Sequence, residues 1–299
     1  MSTHSYRTVD VPVAGGELRV GVWDPVAPTG PARTVLAVHG ITATHRSWAY
    51  LPAALPDARV VAPDLRGRGR SNGLPGPCGM ARHADDLGAV LGELATGPAP
   101  VIGHSMGAFA SVALAHRHPD LVEQLVLVDG GLPIDLPDGA DPDAVMEAVL
   151  GPAIRRLSMT FPDPAAYRAF WADHPAFGPA LVADLAEYFD YDLDPVGDAW
   201  RPSSRVDAVT QDQRELVSIS AVVPALEALR VPTRFVHAPR GLLDDAPLYA
   251  TDHVARWEER LPTMTTTWTA DHNHYTIVMS RSGARLVADQ LSPTPEGVR

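Results

Sequence analysis

A chain of 299 residues, 45% of them hydrophobic, is long enough for one large domain with an insertion and too short for two ordinary domains plus linkers. Its formal charge of -12, from 36 acidic and 24 basic residues with no basic run, argues against nucleic acid or an anionic membrane as a partner and for a small molecule. All 24 basic residues are arginine, which excludes a Schiff-base lysine, a pyridoxal-phosphate attachment site and a P-loop lysine, and the lone Cys78 excludes an internal disulfide and a thiolate metal cluster.

The first residues, Met1 to Arg7, lack the apolar centre of a signal peptide, and no stretch approaches the roughly 18 apolar residues of a membrane span, so a cytoplasmic location is the expectation. Arg7 to Val13 and Glu17 to Trp23, separated by Ala14-Gly15-Gly16, predict an opening hairpin. Short apolar runs then predict buried strands at Thr34–Val38, Arg59–Ala62, Ala99–Ile102, Gln124–Val128, Thr233–His237 and Thr265–Thr269. Met80, Ala84, Leu87, Leu91 and Leu94 form one helical stripe, and Met106, Phe109, Ala110, Ala113 and Leu114 form another. Such alternation implies a mostly parallel sheet with helices on both faces.

About 100 residues separate the strand ending at Val128 from the one starting at Thr233, too many for a structureless loop. Helical patterns at Asp143–Leu150, Pro164–Trp171, Pro179–Phe189, Ser204–Val217 and Ala221–Leu229 make residues 132–230 a helical cap, inserted between core segments 1–131 and 231–299. This stretch is rich in aromatic residues, which either roof an apolar pocket or build the cap's own core. The pocket candidates are Trp48, Phe170, Trp171, Tyr188 and Tyr275. Ser292 to Gly297 read as a frayed tail.

Residues 103–107 read Gly-His-Ser-Met-Gly between an apolar strand and a helical run. A serine at such a junction must occupy a tight, strained turn, and the positions two before and two after it must be small enough for strand and helix to approach. A strand ending in Val38-His39-Gly40, a Pro63-Asp64-Leu65-Arg66-Gly67-Arg68-Gly69-Arg70-Ser71 loop, that elbow and a late Asn273-His274-Tyr275 occur in this order. Together they resemble the α/β-hydrolase family over roughly residues 7–131 and 231–291.

The resemblance implies a nucleophile, an acid and a histidine in that chain order. Ser105 is the nucleophile, and His274 matches the family's base better than His272, which reads as a surface or supporting residue; no ligand spacing accompanies the pair to suggest a metal. Most members carry the acid just after the strand predicted at Thr233–His237, where this chain has Ala238-Pro239-Arg240-Gly241 instead. Asp129, closing the preceding strand, is favoured over Asp244 and then Asp245, as in some family branches such as chain-releasing thioesterases. The family's oxyanion donors fall on the amides of Ile41 and Met106. His39 and His104 read as structural, and Arg66, Arg68 and Arg70 read as loop ties rather than carboxylate binders.

The expectation is a cofactor-independent serine hydrolase that cleaves a carboxylic ester or lactone with an apolar moiety through an acyl-enzyme. Thioesterase, acyltransferase and carbon-carbon bond hydrolase chemistry remain open on the same three residues, as does a ligand-binding role on a hydrolase scaffold. The oligomeric state is not legible.

Overall fold

The computed structural model describes residues 3–135, 139, 141–216 and 219–291. The tail reading at Ser292 to Gly297 lies outside them. The opening hairpin pairs β1 (His4–Val13) with β2 (Gly16–Pro25), antiparallel from His4 opposite Pro25 to Val13 opposite Gly16. β3 (Arg33–Val38) leads through the short helix α1 (Leu51–Ala54) to β4 (Ala58–Pro63). Next come α2 (Met80–Leu94), β5 (Ala99–His104), α3 (Met106–Arg117) and β6 (Val122–Val128).

The insertion follows: α4 (Pro142–Arg156), α5 (Pro164–Ala172), α6 (Pro179–Asp184), α7 (Ala186–Tyr191), β7 (Leu193–Val196), β8 (Ala199–Pro202), α8 (Val206–Leu216) and α9 (Ile219–Glu227). The chain returns through β9 (Thr233–His237), α10 (Thr251–Arg260), β10 (Met264–Trp268), α11 (Thr276–Met279) and α12 (Arg281–Asp289).

The eight-stranded sheet has the order β1-β2-β4-β3-β5-β6-β9-β10 and is parallel from β4 onward. Its central strands alternate between two cores, as strands buried on both faces must. Leu125 and Leu127 of β6 pack on the side of α2 and α3, whereas Val126 and Val128 pack on the side of α1 and α12. The predicted stripe on α2 is its packing face, with Met80, Ala84, Leu87 and Leu91 buried. Chain order reverses at β3, whose neighbours are β4 and β5. The carboxyl ends of β3 and β5 therefore flank the crevice where open α/β sheets receive ligands.

Within residues 132–230, predicted as a helical cap, the helices α4 to α9 are interrupted by a pair of strands. This antiparallel pair, β7–β8, is joined by Gly197-Asp198 with Gly197 at φ 59°. The insertion's last two helices belong to the core layer: Val209, Leu216, Leu226 and Leu229 join the α2/α3-side cluster. Asp212 and Glu215 of α8 also accept the Gly79 and Met80 amides at 2.6 Å each, which satisfies the start of α2, where Gly79 has no side chain to do so. No helix among the described residues is long and apolar enough to cross a membrane.

Candidate active site

Ser105 stands between β5 and α3 with φ 54° and ψ −124°, a conformation that surrounding contacts must enforce. Two glycines permit it by close approach. A Cβ on Gly107 would lie 2.2 Å from the Val38 carbonyl oxygen, and one on Gly130 would lie 2.3 Å from the Ser105 carbonyl oxygen. The Ser105 amide donates to Val128 O at 3.0 Å, fixing the turn to the end of β6. Met106 is the first residue of α3, so its amide is among those a helix leaves without an internal acceptor. Ile41, just beyond Gly40, lines the same cavity as Ser105.

The loop that carries Ile41 is braced from behind. Buried Arg68 donates through Nε to Ile41 O at 2.9 Å and through Nη1 to Arg66 O at 2.8 Å. Arg66 forms a fork with Asp86, both bonds 2.9 Å, and Arg70 reaches Asp194 of β7 at 2.6 Å. All three arginines therefore act as ties within the fold.

His274 lies on the turn between β10 and α11, and its Nδ1–H donates to Asp129 Oδ2 at 2.6 Å; the two side chains are 4% and 0% exposed. Asp129 follows β6 in the left-handed region, φ 45°, a conformation aspartate tolerates better than most residues, and its other oxygen accepts from the Ala238 amide at 3.3 Å. With Nδ1 committed to the carboxylate, Nε2 is the imidazole's free acceptor. That ring and Ser105 line one cavity.

Asp244 is placed elsewhere. It pairs with Arg240 at 2.9 Å and accepts from Asn273 Nδ2 at 2.9 Å, while Asp245 is exposed. The loop where the family's acid was expected still steadies the histidine by main chain, since the His274 amide donates to Arg240 O at 2.9 Å.

His104, His272 and His39 serve as braces, each with a lowered pKa. His104 donates from Nε2 to His274 O at 2.7 Å, and burial followed by the nearby His274 keeps its pKa well below the ordinary value. His272 is held by Thr269 and Ser282 at 2.8 and 3.1 Å. His39 donates from Nδ1 to Gly40 O at 2.7 Å and accepts at Nε2 from the Leu65 amide at 2.9 Å; burial lowers its pKa from 6.5 to about 4. The unfolded chain therefore takes up a proton between those values that the folded chain refuses, so this stability is complete above pH 6.5 and lost as pH falls towards 4. The loss from His39 is about 3 kcal/mol, and His104 adds in the same direction. Melting temperature is expected to fall through this window, and His39→Gln, which keeps a donor and an acceptor, to show a shallower slope; equal slopes would contradict the assignment.

The cavity above Ser105 has Ile41, Ser105 and His274 among its lining residues together with Trp171, Tyr188, Tyr275, Leu150 and Leu242. Phe170 lines an adjoining chamber. Trp48, predicted as a pocket residue, is instead core: it is 1% exposed and packed against the α1 and α12 side of the sheet, and its neighbour Ser47 lines the cavity. Sequence reasoning missed Leu242, Leu150, Arg156 and His174. Leu242 alone had a signal, since it lies in the loop that lacks the expected carboxylate.

A sequence family described as alpha/beta hydrolase fold matches residues 33–205, more than half of the chain. The chain belongs to the α/β-hydrolase fold family. It is 37% identical over 166 residues to lipase LipV of Mycobacterium tuberculosis, an alignment covering 54% of this chain and 59% of that relative's own length. It is 29% identical over 228 residues to 2-(acetamidomethylene)succinate hydrolase of Mesorhizobium japonicum, covering 75% of this chain and 77% of that one. A crystal structure of E-2-(acetamidomethylene)succinate hydrolase superposes with a TM-score of 0.76 at 24% identity, covering 96% of this chain and 98% of the other, a likeness of fold.

Proposed function

We propose that this member of a hydrolase family is a serine hydrolase that cleaves a carboxylic ester or lactone with an apolar moiety through an acyl-enzyme. The observation that carries the reading is the 2.6 Å Asp129–His274 bond, buried beside the elbow serine. Ser105 Oγ attacks the carbonyl carbon while His274 Nε2 takes its proton, and Asp129 holds the ring and stabilises the imidazolium. The developing oxyanion is received by the Ile41 and Met106 amides, which are fixed before reaction and cost no reorganisation. The imidazolium returns the proton to the departing alcohol, and water, deprotonated by the same nitrogen, then frees the acid.

Aromatic and aliphatic lining supports an apolar acyl or alcohol group. A thioester or an activated carbon-carbon bond would pass through the same steps with a different leaving group. The deciding experiment is hydrolysis of a p-nitrophenyl ester by the wild-type chain against Ser105→Ala, with the pre-steady-state release of p-nitrophenol followed. Release in a burst equal to the enzyme present, absent from the variant, supports an acyl-enzyme. Equal turnover by both proteins overturns it.

A further inference from the structure

The second chamber differs from the first in charge. The two share Ala153, Trp171, Leu242 and Tyr275, so they adjoin, with Ser105 in one and Arg156 and His174 in the other. Among the described residues, neither lining includes an Asp or Glu, although the chain holds 36 acidic residues against 24 basic.

Arg156, the last residue of α4, is 3% exposed. Its Nη1 donates to Asp192 Oδ2 at 2.8 Å and also meets Tyr167 OH, its Nη2 reaches Thr42 O only at 3.5 Å, and its Nε is buried without a partner. Asp192 also accepts from Tyr167 OH at 2.5 Å and Ser203 Oγ at 3.2 Å, and it lines neither chamber, so the counter-charge stands behind the arginine. A guanidinium has five N–H donors, and this one, although buried, leaves part of them unused. His174 accepts at Nδ1 from the Ala176 amide at 3.2 Å, which puts the ring proton of the neutral form on Nε2 as a further donor. Burial and then the charge of Arg156 lower its pKa, favouring that neutral form.

We propose that this chamber receives a carboxylate carried by the substrate whose acyl bond Ser105 attacks, with Arg156 and His174 as its donors. The inference rests on the serine-hydrolase reading and narrows its substrate class to an ester, lactone or thioester with an anionic far end. The Arg156–Asp192–Tyr167 bonds by themselves also brace α4 against α5 and α7, but a brace requires neither that Arg156 line a cavity nor that His174 stand beside it. Charge-assisted bonds in a site walled by Phe170, Trp171 and Tyr275 are worth more than the same bonds in water.

The test compares p-nitrophenyl esters of matched chain length, hexanoate against mono-adipate and octanoate against mono-suberate, on the full chain. For at least one pair kcat/KM is expected to favour the carboxylate-bearing ester by about tenfold or more. Asp192→Asn, which removes the counter-charge, raises that ratio. The double variant Arg156→Gln/Asp192→Asn, which leaves no uncompensated buried charge, lowers it by about tenfold. A measurement needing no variant is protection of wild-type Ser105 from a neutral fluorophosphonate: adipamic or suberamic acid, each with one carboxylate and one amide end, should protect at about one-tenth the concentration of the neutral adipamide or suberamide. Hydrolysis of the neutral esters with no preference in either pair, or no better protection by either amic acid than by its diamide, overturns the carboxylate site and leaves the serine reading standing. Failure of Ser105 to label at all overturns the serine reading itself.

Discussion

Replacing Ser105 by alanine is expected to lower kcat for a p-nitrophenyl ester by about 10⁴-fold or more while KM stays within a few-fold. The size follows from what the residue supplies. Without Oγ there is no covalent intermediate, and His274 has no nucleophile to deprotonate, so only the amides of Ile41 and Met106 and the cavity walls remain to act on a bound ester. Binding depends mainly on side chains such as Trp171, Tyr188 and Tyr275, which the substitution leaves in place. The Ser105 amide's bond to Val128 O is also kept. A loss confined to KM would mean that Ser105 only contacts the ligand, the outcome expected of a binding protein on this scaffold.

Asp129→Asn is expected to lower kcat by about 10⁴-fold, whereas Asp244→Asn should lower it by less than about tenfold. Asparagine at 129 accepts from Nδ1–H less strongly than a carboxylate, and its amide favours the tautomer with the proton on Nε2, where a base for Ser105 needs a lone pair. Asp244 meets a partly exposed Arg240 and the Asn273 amide, contacts whose loss shifts a loop rather than the imidazole's protonation. Asn273 also accepts from the Tyr275 and Thr276 amides at 3.0 and 2.8 Å, so the turn beside His274 keeps internal support when Asp244 is changed. The reverse order of effects would return the acid to the later loop. Measuring both variants on one activated ester, with thermal melting as a control for folding, decides the matter.

The strands and the elbow were legible because their signals are local. Gly103 to Gly107 are confined by contacts between consecutive elements, and the apolar runs that predict strands stop within two residues of the observed ends. The pairing of Asp129 with His274 was legible by a combination: an aspartate closing an apolar strand and a later loop with no carboxylate at the usual place. What failed depended on tertiary placement. The β7–β8 pair contains Pro195 and ends at Pro202, which breaks the alternation that marks a strand. The single helix predicted over Pro179–Phe189 is two, because Leu185 leaves helical geometry at φ −103° and ψ 18°. Helix α10 was missed because its buried side chains, His253, Val254 and Trp257, form too sparse a stripe. Trp48 was assigned to the pocket and belongs to the core, since hydrophobicity alone does not say which side of a turn a side chain leaves. Arg156 and His174 carry no local pattern; only the folding of α4 and α5 over the sheet edge brings them to the same chamber.

The proposed mechanism depends most directly on Ser105 being an activated nucleophile. A fluorophosphonate reacted with the native chain and mapped by peptide mass spectrometry measures this without any assumption about substrate. The expected result is one adduct per chain, on Ser105, formed at a rate that Asp129→Asn and His274→Ala each reduce steeply and Asp244→Asn does not. An unmodified Ser105, or labelling indifferent to His274, would contradict it.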